Sequence, residues 1–346
     1  MLTVHQRFMQ RCFDLARLGA GHTSPNPMVG AVLVHQGRII GEGYHTRYGC
    51  PHAEVEAVRS VLPADRQLIP RSTLYVSLEP CSIFGRTPPC TDLILREKIP
   101  TVVVAHRDFS PGVNGRGIAI LQEHGIEVIE GVLKHEGYRL SQARNVFVTQ
   151  ARPYVILKFA QSANGYIARS GGQPQWLSNS FSKRLVHQWR SEIDAIMIGT
   201  NTALLDNPVL NTRLVPGSSP IRVIPDRQLR LPVELNIFSD DLPTWIYTTQ
   251  SLPERNYRQT EFISLPPEAF LFDLLADLQE KKVQTLMVEG GAQLLEWFLE
   301  QEKWDEARVI HTPHYLPEGL KAPVFNSAPE QTFQLQSDRL EVFYRE

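Results

Sequence analysis

The alternation of strand-like and helix-like segments constrains the fold of this chain more than any other feature of its sequence. In the first half, MVGAVLV and RIIGEGYH form a predicted hairpin, which is followed by the helical pattern HAEVEAVRSVL and the strand pattern STLYVSLE. A further helix, CTDLILREKI, leads to the strand TVVVA. A hairpin followed by such alternation predicts a three-layer α/β/α sandwich built on a mixed sheet.

The alternation restarts in the second half with the strand pattern RPYVILKFA. Further strand patterns follow, separated by helical stretches: AIMIG, IRVIP, TWIYTT and TLMVEGG. Between the two halves lies the more polar segment GYRLSQARNVFVTQARP, and a chain of 346 residues is too long for one ordinary core. We therefore predict two α/β domains, comprising residues 1–150 and 151–346.

Composition and charge narrow the choice of partners and compartment. The net charge is −2 and the pI is about 6.6, so the chain lacks the basic field of a nucleic-acid-binding protein. No apolar run approaches the roughly 20 residues that span a bilayer, and the amphipathic N-terminus lacks the apolar centre of a signal peptide. We expect a cytoplasmic protein without nucleic-acid or membrane partners. In that compartment, neighbouring cysteines are more often metal-binding or catalytic than disulfide-bonded.

Two of the four cysteines lie in one proline-rich loop, LEPCSIFGRTPPC, with eight residues between them. Together with His52, Cys81 and Cys90 offer three ligands for zinc. Three protein ligands and an open fourth position are typical of catalytic zinc, whereas a structural zinc site uses four. Cys50 could supply a fourth ligand, so the residues alone leave a structural zinc site open.

A catalytic zinc site for hydrolysis also needs a group that carries protons, and two glutamates follow the histidine. Glu56 would share a helical face with His52, which lies four positions earlier. Glu54 can reach the same site if His52 lies at the entrance of the helix, before helical dihedral angles begin. Spacing alone leaves both glutamates open.

These motifs resemble those of a known class of enzymes. The order HAE, PC and a second cysteine is similar to the signature of zinc-dependent nucleoside and nucleobase deaminases, whose acid/base glutamate lies two residues after the histidine. The resemblance therefore implies Glu54. The longer cysteine loop, with SPNPMVGAV before it and GRGI after it, resembles the bifunctional deaminase/reductase family of riboflavin biosynthesis. It implies a cytidine-deaminase-like first domain in which Asn26 contacts the pyrimidine, although an asparagine in a turn often bonds only its own backbone.

Two glycine-rich segments raise the question of phosphate binding. PGVNGRGIAIL does not have the G-x-G-x-x-G spacing of a dinucleotide-binding turn, and we interpret it as a loop of the first domain. TLMVEGGAQLLEWFL places two glycines between a strand and a helix, where backbone N–H groups can hold phosphate oxygens. A tight turn would use the same glycines, so this pattern taken alone does not decide between them.

The second half also resembles the reductase domain of the same family. KFAQSANGYIA, QPQWLS, IGTNTALLDNPVLNTR and EGGAQLLEWFL occur in the order of that domain, which has a dihydrofolate-reductase-like fold and uses NADPH. The cofactor-contacting positions of the family are matched by Ala160, Trp176, Thr202, Asp206 and Gly291, and the substrate-contacting positions by Pro174, Arg190, Leu210, Arg213 and Glu289. Two arginines could clamp a ribose phosphate bidentately. Asn164 stands where the family has an aspartate, so the chain lacks that charge.

The resemblance implies a bifunctional enzyme with zinc and NADPH as cofactors. Its first domain would hydrolytically deaminate 2,5-diamino-6-ribosylamino-4(3H)-pyrimidinone 5′-phosphate, and its second would reduce the ribosyl side chain to ribityl. The resemblance to this family also implies a homodimer. Two alternatives remain open at this point: a tRNA or nucleoside deaminase with an unrelated second domain, and a zinc-stabilised binding protein without catalysis.

Overall fold

The computed structural model describes residues 2–85, 88–169, 177–252 and 258–345. The chain divides into two compact units, Met1–Arg152 and Pro153–Glu346, which we call unit 1 and unit 2. Each unit has its own main sheet, with one hydrophobic cluster described in unit 2 and two in unit 1.

Unit 1 is built on a mixed sheet. Its helices are α1 (Val4–Arg17), α2 (Ala53–Arg59), α3 (Cys90–Arg96), α4 (Arg116–Glu123) and α5 (Lys134–Thr149), and its strands are β1 (Gly30–His35), β2 (Arg38–Tyr44), β3 (Thr73–Val76), β4 (Thr101–Val104) and β5 (Glu127–Glu130). In the order β2-β1-β3-β4-β5, strand β1 is antiparallel to both neighbours, and β3, β4 and β5 are parallel. The predicted hairpin and mixed sheet are confirmed.

Helices cover both faces of this sheet, because successive residues of a strand point to opposite sides. Ala31 and Leu33 pack into a core that includes buried residues of α2 and α3. Val32 and Val34 pack into a second core with the buried face of α1. Two cores around one sheet make the predicted three-layer sandwich.

The polar segment between the two halves is largely helical. It supplies most of helix α5, and unit 1 ends after this helix, at Arg152. Several of its buried residues are small or polar, among them Gly137, Ser141 and Asn145. Apolar periodicity therefore could not reveal this helix.

Unit 2 is built on a sheet in which most strands are parallel. Its helices are α6 (Ser180–Glu192), α7 (Thr200–Asp206), α8 (Phe270–Glu280) and α9 (Ala292–Glu300). Its strands are β6 (Tyr154–Gln161), β7 (Tyr166–Arg169), β8 (Ala195–Met197), β9 (Ile221–Pro225), β10 (Thr244–Thr248), β11 (Thr260–Ser264), β12 (Thr285–Val288), β13 (Glu306–His311), β14 (Gly319–Lys321), β15 (Gln331–Leu335) and β16 (Asp338–Tyr344). The sequence patterns did not reveal α7, β7, β11 or the strands from β13 onwards.

The strand order of unit 2 determines where a ligand can bind. The described strands of the main sheet follow the order β11-β10-β9-β8-β12-β6-β13-β16-β15, and those from β11 to β13 are parallel. Their carboxyl ends therefore meet at one edge, where open α/β sheets usually bind ligands. Within the described ranges, no helix is long and apolar enough to cross a membrane.

Candidate active sites

His52 is the N-cap residue of α2, and its ring faces Cys81 and Cys90. Its backbone is extended, with φ −75° and ψ 165°, and its side chain makes no capping hydrogen bond to the helix. The ring Nδ1 atom lies 3.4 Å from the Sγ atom of Cys81 and 3.4 Å from that of Cys90. Three residues that are distant in sequence thus meet around one point.

Local structure holds the two cysteines together. Cys90 is the first residue of α3, and its backbone N–H donates to the Cys81 sulfur at 3.3 Å. The next residue, Thr91, donates its backbone N–H to the Cys81 carbonyl at 3.2 Å. Both cysteines are free thiols. The cysteine loop is therefore closed by hydrogen bonds and not by a disulfide.

The geometry of this cluster fits a zinc ion. Tetrahedral zinc, with Zn–S near 2.3 Å and Zn–N near 2.0 Å, places nitrogen and sulfur ligands about 3.6 Å apart. The observed 3.4 Å separations agree with that value. Among the described residues, the ligand atoms of the cluster come from His52, Cys81 and Cys90, and Cys50 does not join them. A three-residue set corresponds to catalytic zinc more than to a closed structural site.

Electrostatics within the cluster favour the thiolate form of Cys81 but the thiol form of Cys90. The hydrogen bond from Cys90, aided by His52, lowers the pKa of Cys81 to about 4. The same bond and burial raise the pKa of Cys90, which favours its protonated thiol. The hydrogen bond with Cys81 raises the pKa of His52 to about 9. Thiols that coordinate a divalent cation lose their protons, so this donor set can supply two thiolates.

The structure separates the two candidate glutamates. Glu54 is 3% exposed, and its carboxyl group interacts with the Cys90 side chain. Burial, followed by the charge of Cys81, raises the pKa of Glu54, which favours a carboxyl group able to hold a proton. Glu56 instead faces Arg59, whose Nη1 atom donates to it at 3.1 Å. Only Glu54 of this pair is buried beside the cluster, and its acid/base role stays a prediction.

Asn26 is held in place by a histidine that the sequence patterns did not single out. The Pro51 carbonyl can only accept, so His45 donates to it from Nδ1 at 3.0 Å. The His45 Nε2 atom then accepts from the Asn26 side-chain amide at 3.1 Å. Burial lowers the pKa of His45, which agrees with a neutral, accepting ring. Since Pro51 precedes His52, this chain of bonds fixes Asn26 relative to the metal cluster.

The glycine-rich loop of unit 1 binds a carboxylate of the protein itself. The backbone N–H groups of Gly115 and Gly117 donate to Glu79 at 2.8 and 2.9 Å, and that of Asp108 donates at 3.2 Å. Glu79 is 4% exposed and precedes Cys81 by two residues. These amides therefore anchor the loop to the segment after β3 that carries Cys81.

A buried charge cluster occupies the centre of the candidate reductase site. Glu289, which follows β12, accepts two hydrogen bonds from Arg190 of α6, both at 2.8 Å. The Lys158 Nζ atom lies 3.6 Å from the same carboxylate. Burial alone would raise the pKa of Glu289, but Lys158 and Arg190 lower it to about 2. Sequence reasoning missed Lys158, because a single lysine in an apolar strand carries no spacing signal.

A cavity of about 1430 Å³ surrounds this cluster at the carboxyl edge of the sheet. Its lining contains all the predicted reductase residues that lie in the described ranges, namely Ala160, Arg190, Thr202, Asp206, Leu210, Arg213, Glu289 and Gly291. Pro174 and Trp176 lie outside the described residues. The glycine turn leads into α9, and Gly291 is the residue before its first turn. The individual roles of these residues stay predictions.

Asn164 has a structural use that an aspartate could not fulfil. Its side-chain N–H donates to the Leu316 carbonyl at 2.6 Å, and its side-chain oxygen accepts from the Leu316 N–H at 3.2 Å and the Ser162 hydroxyl at 2.9 Å. A carboxylate has no N–H to donate. The amide thus joins the turn after β6 to the segment before β14.

Family models match both units of the chain. The cytidine and deoxycytidylate deaminase zinc-binding region matches residues 2–106, which include the whole metal cluster. The RibD C-terminal domain matches residues 153–344.

Relatives cover nearly the whole chain. A riboflavin biosynthesis protein RibD of Aquifex aeolicus is 37% identical over 321 residues, which are 92% of this chain and 89% of that protein. The Escherichia coli RibD protein is 34% identical and covers 89% of this chain and 88% of its own length. The crystal structure of a diaminohydroxyphosphoribosylaminopyrimidine deaminase/5-amino-6-(5-phosphoribosylamino)uracil reductase from Thermotoga maritima superposes with a TM-score of 0.89 and 35% identity, over 99% of this chain and 98% of that one.

The fold and the sites together define a zinc-dependent deaminase joined to an NADPH-dependent reductase. Because relatives match both units, a nucleoside deaminase with an unrelated second domain is not favoured. The chain belongs to the RibD family of riboflavin biosynthesis proteins, and the resemblance inferred from its motifs is confirmed.

Proposed function

We propose that unit 1 removes the exocyclic amine of 2,5-diamino-6-ribosylamino-4(3H)-pyrimidinone 5′-phosphate by hydrolysis, and that unit 2 then reduces the ribosyl side chain to ribityl. The observation that carries the proposal is the convergence of His52, Cys81 and Cys90 beside the buried Glu54. Catalysis usually takes place in cavities that are lined by titratable groups with shifted pKa values.

In unit 1, the chain supplies proton transfer and substrate orientation. His52, Cys81 and Cys90 would hold a zinc ion, which would supply a water molecule with a lowered pKa as the nucleophile. Glu54 would carry one proton of that water to the ring nitrogen and the other to the departing amine, so that ammonia leaves and a carbonyl remains. Asn26 uses its N–H on His45, which leaves its side-chain oxygen to accept a hydrogen bond from the pyrimidine ring.

In unit 2, side chains of the cavity bind the substrate phosphate and donate a proton. NADPH bound in the cavity that Thr202, Asp206 and Gly291 line would supply a hydride to C1′ of the ribosyl group. Arg213 lines the cavity and is exposed, so its guanidinium is available to the substrate phosphate. Burial lowers the pKa of Lys158. Lys158 is therefore the candidate donor of the proton that the ribose ring oxygen takes up when the ring opens. Hydride and proton together balance the reduction.

Removing zinc from the intact protein should separate the two activities. We expect a strong chelator to abolish ammonia release, because Cys81 and Cys90 would hold no metal, while NADPH oxidation with the deaminated substrate continues. Both reactions would be followed on the same sample, with zinc added back as the control. Equal loss of both activities, or ammonia release from metal-free protein, would contradict the proposed division between the units.

We also propose a cytoplasmic homodimer. The metal cluster needs free thiols, which a reducing compartment maintains. Tyr315, Leu320 and Val324 are large apolar side chains exposed by 74%, 56% and 82% in the final third of the chain, and such surfaces often mark subunit contacts. Sedimentation equilibrium should give twice the mass of the 39.2 kDa chain, and a monomer would refute the dimer.

A further inference from the structure

The loop between α7 and β9 packs against α6 beside the reductase cavity. This loop carries Arg213, whose exposed side chain lines the cavity. Gly217 lies so close to α6 that a Cβ atom added to it would come within 2.5 Å of the Cβ atom of Ser191. Inside the loop, the Thr212 backbone N–H donates to the Ser219 hydroxyl at 3.0 Å. The loop is therefore closed on itself and lies directly on the helix.

Two side chains of α6 bind the backbone of this loop. His187 and Arg190 are three positions apart and therefore share a face of the helix. The Arg213 backbone N–H donates to the His187 Nδ1 atom at 3.2 Å, and Arg190 Nη1 donates to the Asn211 carbonyl at 3.2 Å. The Arg213 guanidinium in turn donates from Nη1 to the Asn211 side-chain oxygen at 2.9 Å. The helix thus fixes both the backbone of Arg213 and the residue that its guanidinium contacts.

The imidazole of His187 is a neutral acceptor. His187 is 4% exposed, and burial, followed by the charges of Arg190 and Arg213, lowers its pKa to about 4. Lys158 lowers this pKa further, and Glu289 opposes the shift. The ring is therefore uncharged at neutral pH, and its proton resides on Nε2 because Nδ1 accepts from a backbone N–H. The steps proposed for unit 2 do not use this imidazole.

The backbone that leads to Arg213 depends on such support. Leu210 has a φ of 59°, a left-handed conformation that is unfavourable for a residue with a Cβ atom and persists only where the surrounding structure enforces it. Leu210 is 3% exposed and also lines the cavity. The hydrogen bonds from α6 to Asn211 and Arg213 follow directly after it. Loss of one of these bonds would free the loop to carry Arg213 away from its place in the cavity.

We propose that His187 is a positioning residue for substrate binding in unit 2: its Nδ1 atom fixes the backbone of Arg213, so that the guanidinium meets the substrate phosphate. The inference rests on the proposed function, in which Arg213 binds that phosphate. The phosphate is attached to the 5′ end of the ribosyl group and takes no part in hydride transfer to C1′. Loss of the His187 acceptor should therefore weaken substrate binding without slowing the chemical step.

Steady-state reduction by the full chain tests this inference through a double-mutant cycle. KM and kcat for the deaminated substrate would be measured for the parent, H187L, R213Q and the double variant. H187L should raise KM roughly threefold to tenfold, as expected for one net hydrogen bond, while kcat and the KM for NADPH stay unchanged. R213Q should raise KM more, because guanidinium–phosphate hydrogen bonds are charge-assisted. Adding H187L to R213Q should raise KM no further, since His187 acts only through Arg213.

Two further variants on α6 separate the acceptor from general packing. In H187N, the amide oxygen can take the place of Nδ1 and accept the same backbone N–H, so KM should return to the value of the parent. Q188L is the matched control, because Gln188 is the next residue of the helix and its side chain donates to Glu192 at 2.8 Å on the exposed surface. Q188L should leave KM and kcat unchanged.

The possible failures point to different parts of the argument. An unchanged KM in H187L, a KM that H187N does not restore, or the same rise in KM from H187L with and without R213Q would overturn the role of His187 alone. R213Q with the KM of the parent would refute the phosphate contact of Arg213, and the inference with it. A parent protein that does not oxidise NADPH with the deaminated substrate would refute the proposed function of unit 2.

Discussion

Replacement of Glu54 by glutamine is expected to abolish ammonia release while the protein keeps its zinc. Glutamine preserves the size of the side chain but cannot carry a proton, and the reaction needs one proton accepted and one returned. General acid–base groups contribute typically 10²- to 10⁴-fold, so we expect a loss of roughly 10³-fold or more. Ammonia release and metal content would be measured on the same preparation, with NADPH oxidation as a check on unit 2.

Glu56 offers a matched control on the same helix. E56Q removes an equal charge two residues away, where the carboxylate is 33% exposed and paired with Arg59. Exposed ion pairs of this kind contribute little, so ammonia release should stay close to that of the parent. If E56Q loses activity and E54Q keeps it, the assignment of the proton carrier is reversed. Loss of zinc from E54Q would instead give Glu54 a role in holding the metal.

Local spacing carried much of the information about the metal cluster. Cysteines and a histidine in a fixed order predicted the ligands, and the structure brings Cys81 and Cys90 to the same nitrogen of His52. Spacing could not choose between Glu54 and Glu56, because the choice depends on the backbone of His52. Its extended dihedral angles shift the ring out of helical register. The glutamate two residues later then lies inside the site.

Contacts between distant segments escaped prediction. His45 reaches Asn26 across 19 residues, and Lys158 meets Glu289 across more than a hundred. A single polar residue in a strand or turn leaves no periodic signal, so only the folded sheet reveals such partners. The same limit applies to β15, which is mostly exposed, and to α5, whose buried residues include polar ones.

Replacement of Glu289 by glutamine is expected to destabilise unit 2 and to stop NADPH oxidation. The change leaves Lys158 and Arg190, with side chains 14% and 11% exposed, as two like charges without a counter-ion. Breaking a buried ion pair in this way costs about 3–5 kcal/mol. The melting temperature should fall by roughly 10 °C, at about 2–4 °C per kcal/mol for a unit of this size. E302Q, which removes a 75% exposed partner of Arg345, should change it little.

The free energy of unfolding at acidic pH gives an independent test of how much Glu289 stabilises unit 2. All five tryptophans lie in unit 2, so their fluorescence follows its unfolding. The pKa of Glu289 is about 2 in the folded protein against an ordinary 4.5, and a lowered folded-state pKa stabilises the protein above the unfolded value. This contribution, about 3 kcal/mol, is fully present above pH 4.5 and is lost as the pH falls towards 2. The E289Q variant cannot lose it, so the stabilities of parent and variant should converge on acidification. A difference between them that stays constant from neutral pH to pH 2 would show that the charge of Glu289 does not stabilise unit 2.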